Sequence, residues 1–578
     1  MRIVGSRLPA SEGLPAQEVR ILRASELHSR PSVPDAVRTA PDVHVDQPGA
    51  PAGFGSLYLR GADPNHAVIL LDGVKLNDPT NARGGGFDFG SLDPRAIDRI
   101  EILPGASSAI YGADAMAGVV NILTAPPRGS GARLGGALGG LGYKTFHAGH
   151  DARRWRIGAF ALEDGGADDL GEKSIRALTL RAAQLALHAW RHESAGFPED
   201  SGGPQFAVLR EPERRESDTV LGALHAQRTS GEAELRAQLG MLHHSSDTSS
   251  PGVAPGLRDP VGVPSSVSNA RFSRWNATVT ARWRNALVGA EYQREDGSME
   301  SMLFFGPSAL PASFSLERDT RSVFAEAQVP FGRALSAHGG LRLDDVEGYR
   351  VQTSALAAVR FRLPSDHELG LTIGTGFKPP SFFALGHPIV GNPALVPEES
   401  ESIELSIASP EKRPLRQRAA LFRTDYTNLI DFEAGPPPRL VNRDSVRIQG
   451  VQYSAAATLG ALEAAVGATR FHYEMPEGAE PLRSRPRSKV TAQVSSALTD
   501  TASLRLSAVR VGQVFDSSIP TGGVYLDPYV VVDAALSYRS GKNEAQLLLD
   551  NVFDRDYQQF IGFAAPGRRL RLQLAIAL

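Results

Sequence analysis

The chain of 578 residues contains no cysteine. That excludes disulfides and thiolate metal sites and leaves the redox compartment open. No stretch approaches the roughly eighteen consecutive apolar residues of a membrane-crossing helix, so what remains is a soluble protein or a closed β-barrel. The formal charge of −3 and a pI near 6.6 come without any basic face, which gives no support for a nucleic-acid partner. Little helical periodicity follows residue 125, which argues against a multidomain α/β enzyme of this length. The opening residues MRIVGSRLPASEG lack the positive and apolar regions of a signal sequence. No serine or paired-carboxylate arrangement stands out for catalysis. Gly84-Gly85-Gly86 has neither a preceding strand nor a following Lys-Ser/Thr, so it makes no phosphate cradle.

What is present begins with Leu59–Thr124. AVILL at 67–71 and GVVNIL at 118–123 have the length and β-branching of buried strands. Asp72-Gly73, Pro104-Gly105 and Tyr111-Gly112 are breaks. Asp93-Pro94 predicts a short helical turn over 94–98 before RIEIL at 99–103 returns as a strand. Upstream, Ser25 is a candidate cap for ELHSR. Residues 125–132, APPRGSGA, read as a linker.

From about residue 133 the period is two. Leu235, Ala237 and Leu239 alternate with Glu234, Arg236 and Gln238; Leu570, Leu572, Leu574 and Ile576 alternate with Arg569, Arg571 and Gln573. About twenty-one such segments follow the linker, and since single-chain barrels close with an even number, the expected count is roughly twenty-two. A polar face rich in arginine suits a wet lumen. Barrels of that size are plugged transporters rather than open porins. Short connections such as 363–367 and 499–501 alternate with long ones near 192–216, 245–271, 296–317, 377–399, 427–444 and 512–528.

The motifs of residues 59–124 resemble the plug domain of TonB-dependent outer-membrane receptors. The matching pieces are Arg60-Gly61, LLDGV with Asp72 and Gly73, RIEIL, and PGASSAIYGADAMAGVVNILT with Gly105, Tyr111, Gly112 and Asn121. GFKPPSFFALGHPIVGNPALVPEESESIEL at 376–405 and LLLDNVFDRDYQQFIGFAAPGRRLRL at 547–572 resemble the family's middle and C-terminal motifs. The resemblance implies an all-β transmembrane barrel occluded by an α+β plug, with 1–126 as plug and 127–578 as barrel. It further implies an outer-membrane location with lipid around the wall, and no enzymatic activity. The function it implies is uptake of a scarce small molecule or metal chelate, cobalamin or a ferric siderophore, driven by a TonB-type inner-membrane partner. A receptor that signals without transport is the alternative. Ile3, Val4 and Gly5 resemble the segment beside the TonB box, so the chain as given is expected to begin late.

In this family plug arginines pair with barrel glutamates. Arg60 matches one such arginine, with Glu398 and Glu404 as candidate partners. Pro104 and Gln452 stand where a second arginine and a second glutamate usually do, and the expectation is that this second latch was lost as a unit. A lone glutamate at 452 should then loosen the plug, and adding Pro104→Arg should rescue it. The plainer reading is that Pro104 shapes a turn and Gln452 faces water. The family usually ends in an aromatic residue; here it is Leu578, read as a tolerated variant. Glu163, Asp164, Asp168, Asp169 and Glu172 crowd an early loop. Cobalamin receptors of the family bind calcium in early loops, but a solvated acidic turn is the expectation, with no cofactor otherwise. His243 and His244 lie on opposite strand faces and cannot chelate as a pair.

Overall fold

The computed structural model describes residues 19–127, 129–166, 171–410, 412–433, 437–443 and 445–578. Ile3, Val4, Gly5, Asp168 and Asp169 lie outside the described residues. Gly131–Gly139 opens a barrel that Arg569–Ala577 closes, each strand antiparallel to its neighbours, 22 strands in all. The alternation is inside out relative to a soluble core. Leu570, Leu572, Leu574 and Ile576 are exposed on the outer wall, while Arg569, Arg571 and Gln573 are buried in the lumen. That is the arrangement lipid outside and protein inside require. The lumen is not wet at these positions: Arg571 spends its guanidinium on Asp550 at 2.8 and 2.9 Å.

The barrel's first strand begins and its last strand ends at the rim of the short turns, where Leu578 N–H bonds the Ala132 carbonyl. At the other rim the connections are longer, but one of the expected loops is a strand hairpin. Ala286–Phe305 and Ser308–Phe331, of 20 and 24 residues, continue as a hairpin through most of 296–317. Glu213–Ser230, Ala233–Ser250 and Ser265–Trp283 likewise extend past the wall. Above the wall the outer face of these strands turns polar while the inner face stays packed, with Ala312 and Phe314 buried beside exposed Ser313 and Ser315, so the apolar residues change face while the backbone ladder continues.

Inside sits the plug. Its sheet runs Arg20–Arg23, Ile97–Pro104, Gly118–Thr124, Ala67–Leu71, Val74–Lys75, with 67–71 parallel to 118–124. Asp72 (φ 48°) and Gly73 (φ 88°) make the turn between 67–71 and 74–75, the left-handed pair that favours Asp-Gly. Gly118, at φ 140°, has no room for a side chain: a Cβ would lie 2.1 Å from the Leu103 carbonyl oxygen. Residues 94–96 form a turn rather than a helix, with Asp93 accepting the Arg95 N–H at 2.7 Å. The first helix is Ala24–Leu27, so Ser25 lies inside it. Glu26 closes back on the Arg23 N–H at 2.9 Å. The second, Val33–Val37, is capped by Ser32.

Candidate functional site: the plug–wall interface

Arg60 follows Ser56–Leu59 with φ 50°, a conformation a non-glycine residue holds only when its surroundings fix it. Here they do. Its guanidinium meets Glu404 at 2.6 Å, donates to Gln452 Oε1 at 3.1 Å and lies 4.4 Å from the Phe422 ring centre. Glu404 sits opposite Phe422, and Ala420, two residues along that strand, sits opposite Gln452, so one cation reaches both neighbouring strands. Arg418 holds the other side of Glu404 at 2.7 Å.

Two expectations are corrected by this geometry. Glu398 is no partner of Arg60; it takes plug His66 at 3.3 Å, Lys378 at 3.4 Å and the Ile430 N–H at 3.0 Å, with His66 stacked on Tyr426. Gln452 is no remnant facing position 104 or water. It is buried against Arg60, whereas Pro104 ends its strand opposite Gly118. With Arg418 supplying a second positive charge, Gln452→Glu gives two cations and two carboxylates. We therefore expect this variant to change the unfolding midpoint by less than about 1 kcal/mol equivalent, without any change at 104.

The other plug motifs also reach the wall. Asp72 accepts from Thr124 N–H and Oγ1 at 3.1 and 2.6 Å and meets barrel His188 at 2.9 Å. Burial alone would raise its pKa, but His188, Arg181 and Thr124 together hold it near 2. Gly73 gives its carbonyl to Gln238 at 2.8 Å. Gly112, at φ 83°, lies under Arg342, whose Nη2 would be 2.9 Å from a Cβ. Tyr111 packs beside Ala109, Ile110 and Leu356. Asn121 donates to Glu101 at 3.2 Å within the plug sheet. Gly61 and Asp63 are both engaged by barrel Arg485, its Nε reaching the Gly61 carbonyl at 3.0 Å. Gly105 bonds Ala117, inside the plug.

A second set of contacts has no signature in the sequence, because the partner is plug backbone. Lys489 Nζ caps the carbonyls of Arg38 at 2.6 Å, Ala40 at 2.8 Å and Val43, at and just beyond the end of the second helix. Arg274 donates to the carbonyls of Lys75 at 2.9 Å and Asn77 at 2.8 Å. Arg505 donates to the Ser25 carbonyl at 2.6 Å. Glu295 ties Arg274, at 3.0 Å, to Arg318, at 2.9 and 2.6 Å, and Arg318 also holds the Pro380 carbonyl. Plug Arg30 adds a pair with Asp533.

Over the plug the outer loops interlock. Asp200 binds Arg258 and Arg483, each at 2.9 Å; Arg483 also meets Asp516 at 3.1 Å, and plug Arg83 meets Glu199. Beneath Arg83 lies Asp46, buried, with no well-formed hydrogen bond to either oxygen among the described residues. Burial raises its pKa to about 7, Glu199 adds to the rise and Arg83 opposes it. A carboxyl raised in the folded state keeps its proton from about pH 4 to 7 while the unfolded chain has lost it. Its contribution is thus full below pH 4 and lost as pH climbs toward 7. Asp46→Asn should remove that slope. The variant should gain on the parent by a few kcal/mol between pH 4 and 8, read from unfolding midpoints across pH.

A cavity of about 530 Å³ separates plug from wall, lined by Asp72, Lys75 and Asp114 on one side and Arg236, Gln238 and Thr278 on the other. No group of three or more metal-ligating side chains occurs among the described residues; Asp164 is taken by Arg569 at 3.4 Å. His243 bonds Ser273 and His244 bonds Thr219.

Comparison with known proteins agrees with this architecture. The family model for a TonB dependent receptor-like β-barrel matches residues 184–552, and that for the TonB-dependent receptor plug domain matches residues 15–119. The chain is 26% identical over 556 residues to the vitamin B12 transporter BtuB of Vibrio vulnificus, covering 91% of this chain and 85% of that one. It is 27% identical over 568 residues to the protein of the same name from Photobacterium profundum, covering 91% and 86%. Among solved structures, the siderophore receptor PirA of Acinetobacter baumannii superposes with a TM-score of 0.76 at 16% identity, covering 97% of this chain and 98% of that one.

Proposed function

Since this chain belongs to the TonB-dependent receptor family of the Gram-negative outer membrane, we propose that it imports a scarce ligand by energy-coupled displacement of its plug, with cobalamin as first substrate and a ferric siderophore as second. The observation that carries this reading is the character of the plug–wall contacts. The plug packs on apolar side chains of the wall such as Trp190, Leu242 and Phe272, and is also held by many hydrogen bonds and ion pairs such as Arg60–Glu404, His188–Asp72 and Lys489 to backbone. The polar contacts exchange for water when the plug moves. Ligand capture falls to the outer loops and the plug residues under them, around Arg83 and Asp46. Work from a TonB-type partner, which pairs with the N-terminal segment as an added strand, then moves the plug. No covalent chemistry is required. The preference for cobalamin rests on the names of the relatives aligned over 91% of the chain.

The test is titration of the purified protein with cyanocobalamin, ferric catecholate siderophores and haem, paired with uptake of the bound compound by cells with and without an energised inner membrane. Saturable cobalamin binding with energy-dependent uptake is expected. Siderophore binding alone would change the substrate. Binding without uptake in energised cells would overturn transport.

A further inference from the structure

On the outer wall the switch from aliphatic to polar residues can be followed strand by strand. Leu405, Leu421, Val451 and Arg470 stand side by side in register across four strands, all facing outward and exposed. The next row toward the outer rim is Ile403, Arg423, Gln449 and His472. Between these rows and the 475–487 connection lies a groove of about 870 Å³ whose lining includes arginines 423, 470, 485 and 487 and no carboxylate.

Two of the nearby acids are already taken, while Glu477 and Glu480 on the 475–487 connection are exposed and point no ion pair at the groove among the described residues. Asp425 binds Arg423 at 2.8 Å and Arg447 at 2.5 Å, and Glu474 binds Arg447 and Gln449, each at 2.8 Å, with His472 at 3.8 Å. Arg485 is committed to Asp63 at the inner end. Arg470 and Arg487 have no carboxylate partner among the described residues. Arg487 lies over the Tyr525 ring, 5.7 Å from its centre. Two guanidinium groups without a carboxylate partner thus flank an aliphatic floor on the outer wall, Arg470 in its own row and Arg487 on the neighbouring connection. An arginine matches phosphate oxygens in a bidentate fork.

We propose that this groove binds a phosphate-bearing lipid of the outer leaflet, its acyl chains on Leu405, Leu421 and Val451 and its phosphate on Arg470 and Arg487. This rests on the membrane location and not on the imported ligand. Both arginines are exposed, so their replacement leaves the fold intact. Purified protein in a neutral detergent is titrated with lipopolysaccharide. Arg470→Gln with Arg487→Gln is expected to weaken binding about thirtyfold, each arginine at a lipid surface contributing roughly fivefold. Enzymatically dephosphorylated lipopolysaccharide should bind the parent equally weakly. The pair Arg191→Gln with Arg294→Gln, solvent-accessible arginines that have carboxylate partners, should leave binding unchanged. Equal weakening by that control pair, or no weakening by the first, overturns the site. So does inorganic phosphate binding as tightly as the lipid. A change of oligomeric state in the Arg470/Arg487 variant without a change in lipid binding would assign the face to a second copy of the chain.

Discussion

Replacing Glu295 with glutamine is expected to cost about 3–5 kcal/mol of stability, because it strands two buried cations at once. Arg274 and Arg318 flank this one carboxylate, and all three side chains are nearly inaccessible. Each arginine keeps its carbonyl acceptors on Lys75, Asn77 or Pro380, so both stay in place and neither can turn out to water. The charge is then uncompensated in a place of low polarisability. Denaturant unfolding in micelles, followed by tryptophan fluorescence, reads the loss. Adding Arg318→Met to the variant should recover part of it, since one stranded charge is removed. A Glu295→Gln protein within about 1 kcal/mol of the parent would mean that water reaches the triad.

Lys489→Met is expected to act on the plug while leaving the barrel alone. The carbonyls of Arg38, Ala40 and Val43 share one ammonium, and the methionine fills its volume without a donor. A buried acceptor left unsatisfied costs on the order of 1–3 kcal/mol, and partial relaxation of three neighbouring acceptors puts the total near 3 kcal/mol. Hydrogen exchange gives the local readout: amides of residues 33–46 should exchange faster, with strand Ser488–Ala497 unchanged. Uniform acceleration through the barrel would show instead that Lys489 supports its own strand.

The chain itself discloses the barrel wherever lipid and lumen impose opposite chemistry on successive residues, as from Leu570 to Ile576. It discloses the plug through turns that need particular backbones, Asp72-Gly73 above all. Legibility fades where that opposition ends. Residues 296–317 read as a loop because the outward face turns polar above the wall while Met299, Ala312 and Phe314 pack inward, and Pro311 opposite Met302 adds a break signal that the ladder tolerates. At the interface, Arg60 is legible as a motif residue with Glu398 and Glu404 as its candidate partners. The choice between Glu398 and Glu404 is not, since it depends on which strands face Arg60 in the closed barrel. The burial of Gln452 against Arg60 depends on the same closure. Lys489, Arg274 and Arg505 could not be singled out from other inward-facing cations: a backbone carbonyl as partner leaves no trace in side-chain identity.

The order of the anchors along the chain also fixes how the plug responds to load. Among the described residues Arg20–Arg23 is an edge strand paired only with Ile97–Pro104. Behind it come Ser25 held by Arg505, Arg30 held by Asp533, and residues 38–43 held by Lys489. Tension entering at residue 20 meets these attachments in series. Each bears the whole force in its turn, and the peak force is set by the strongest single anchor and not by their sum. Lifting the plug as a rigid body would load them in parallel and demand that sum. The N-terminal stretch can therefore be drawn out at low peak force over a long path while the sheet of residues 67–124 keeps its shape.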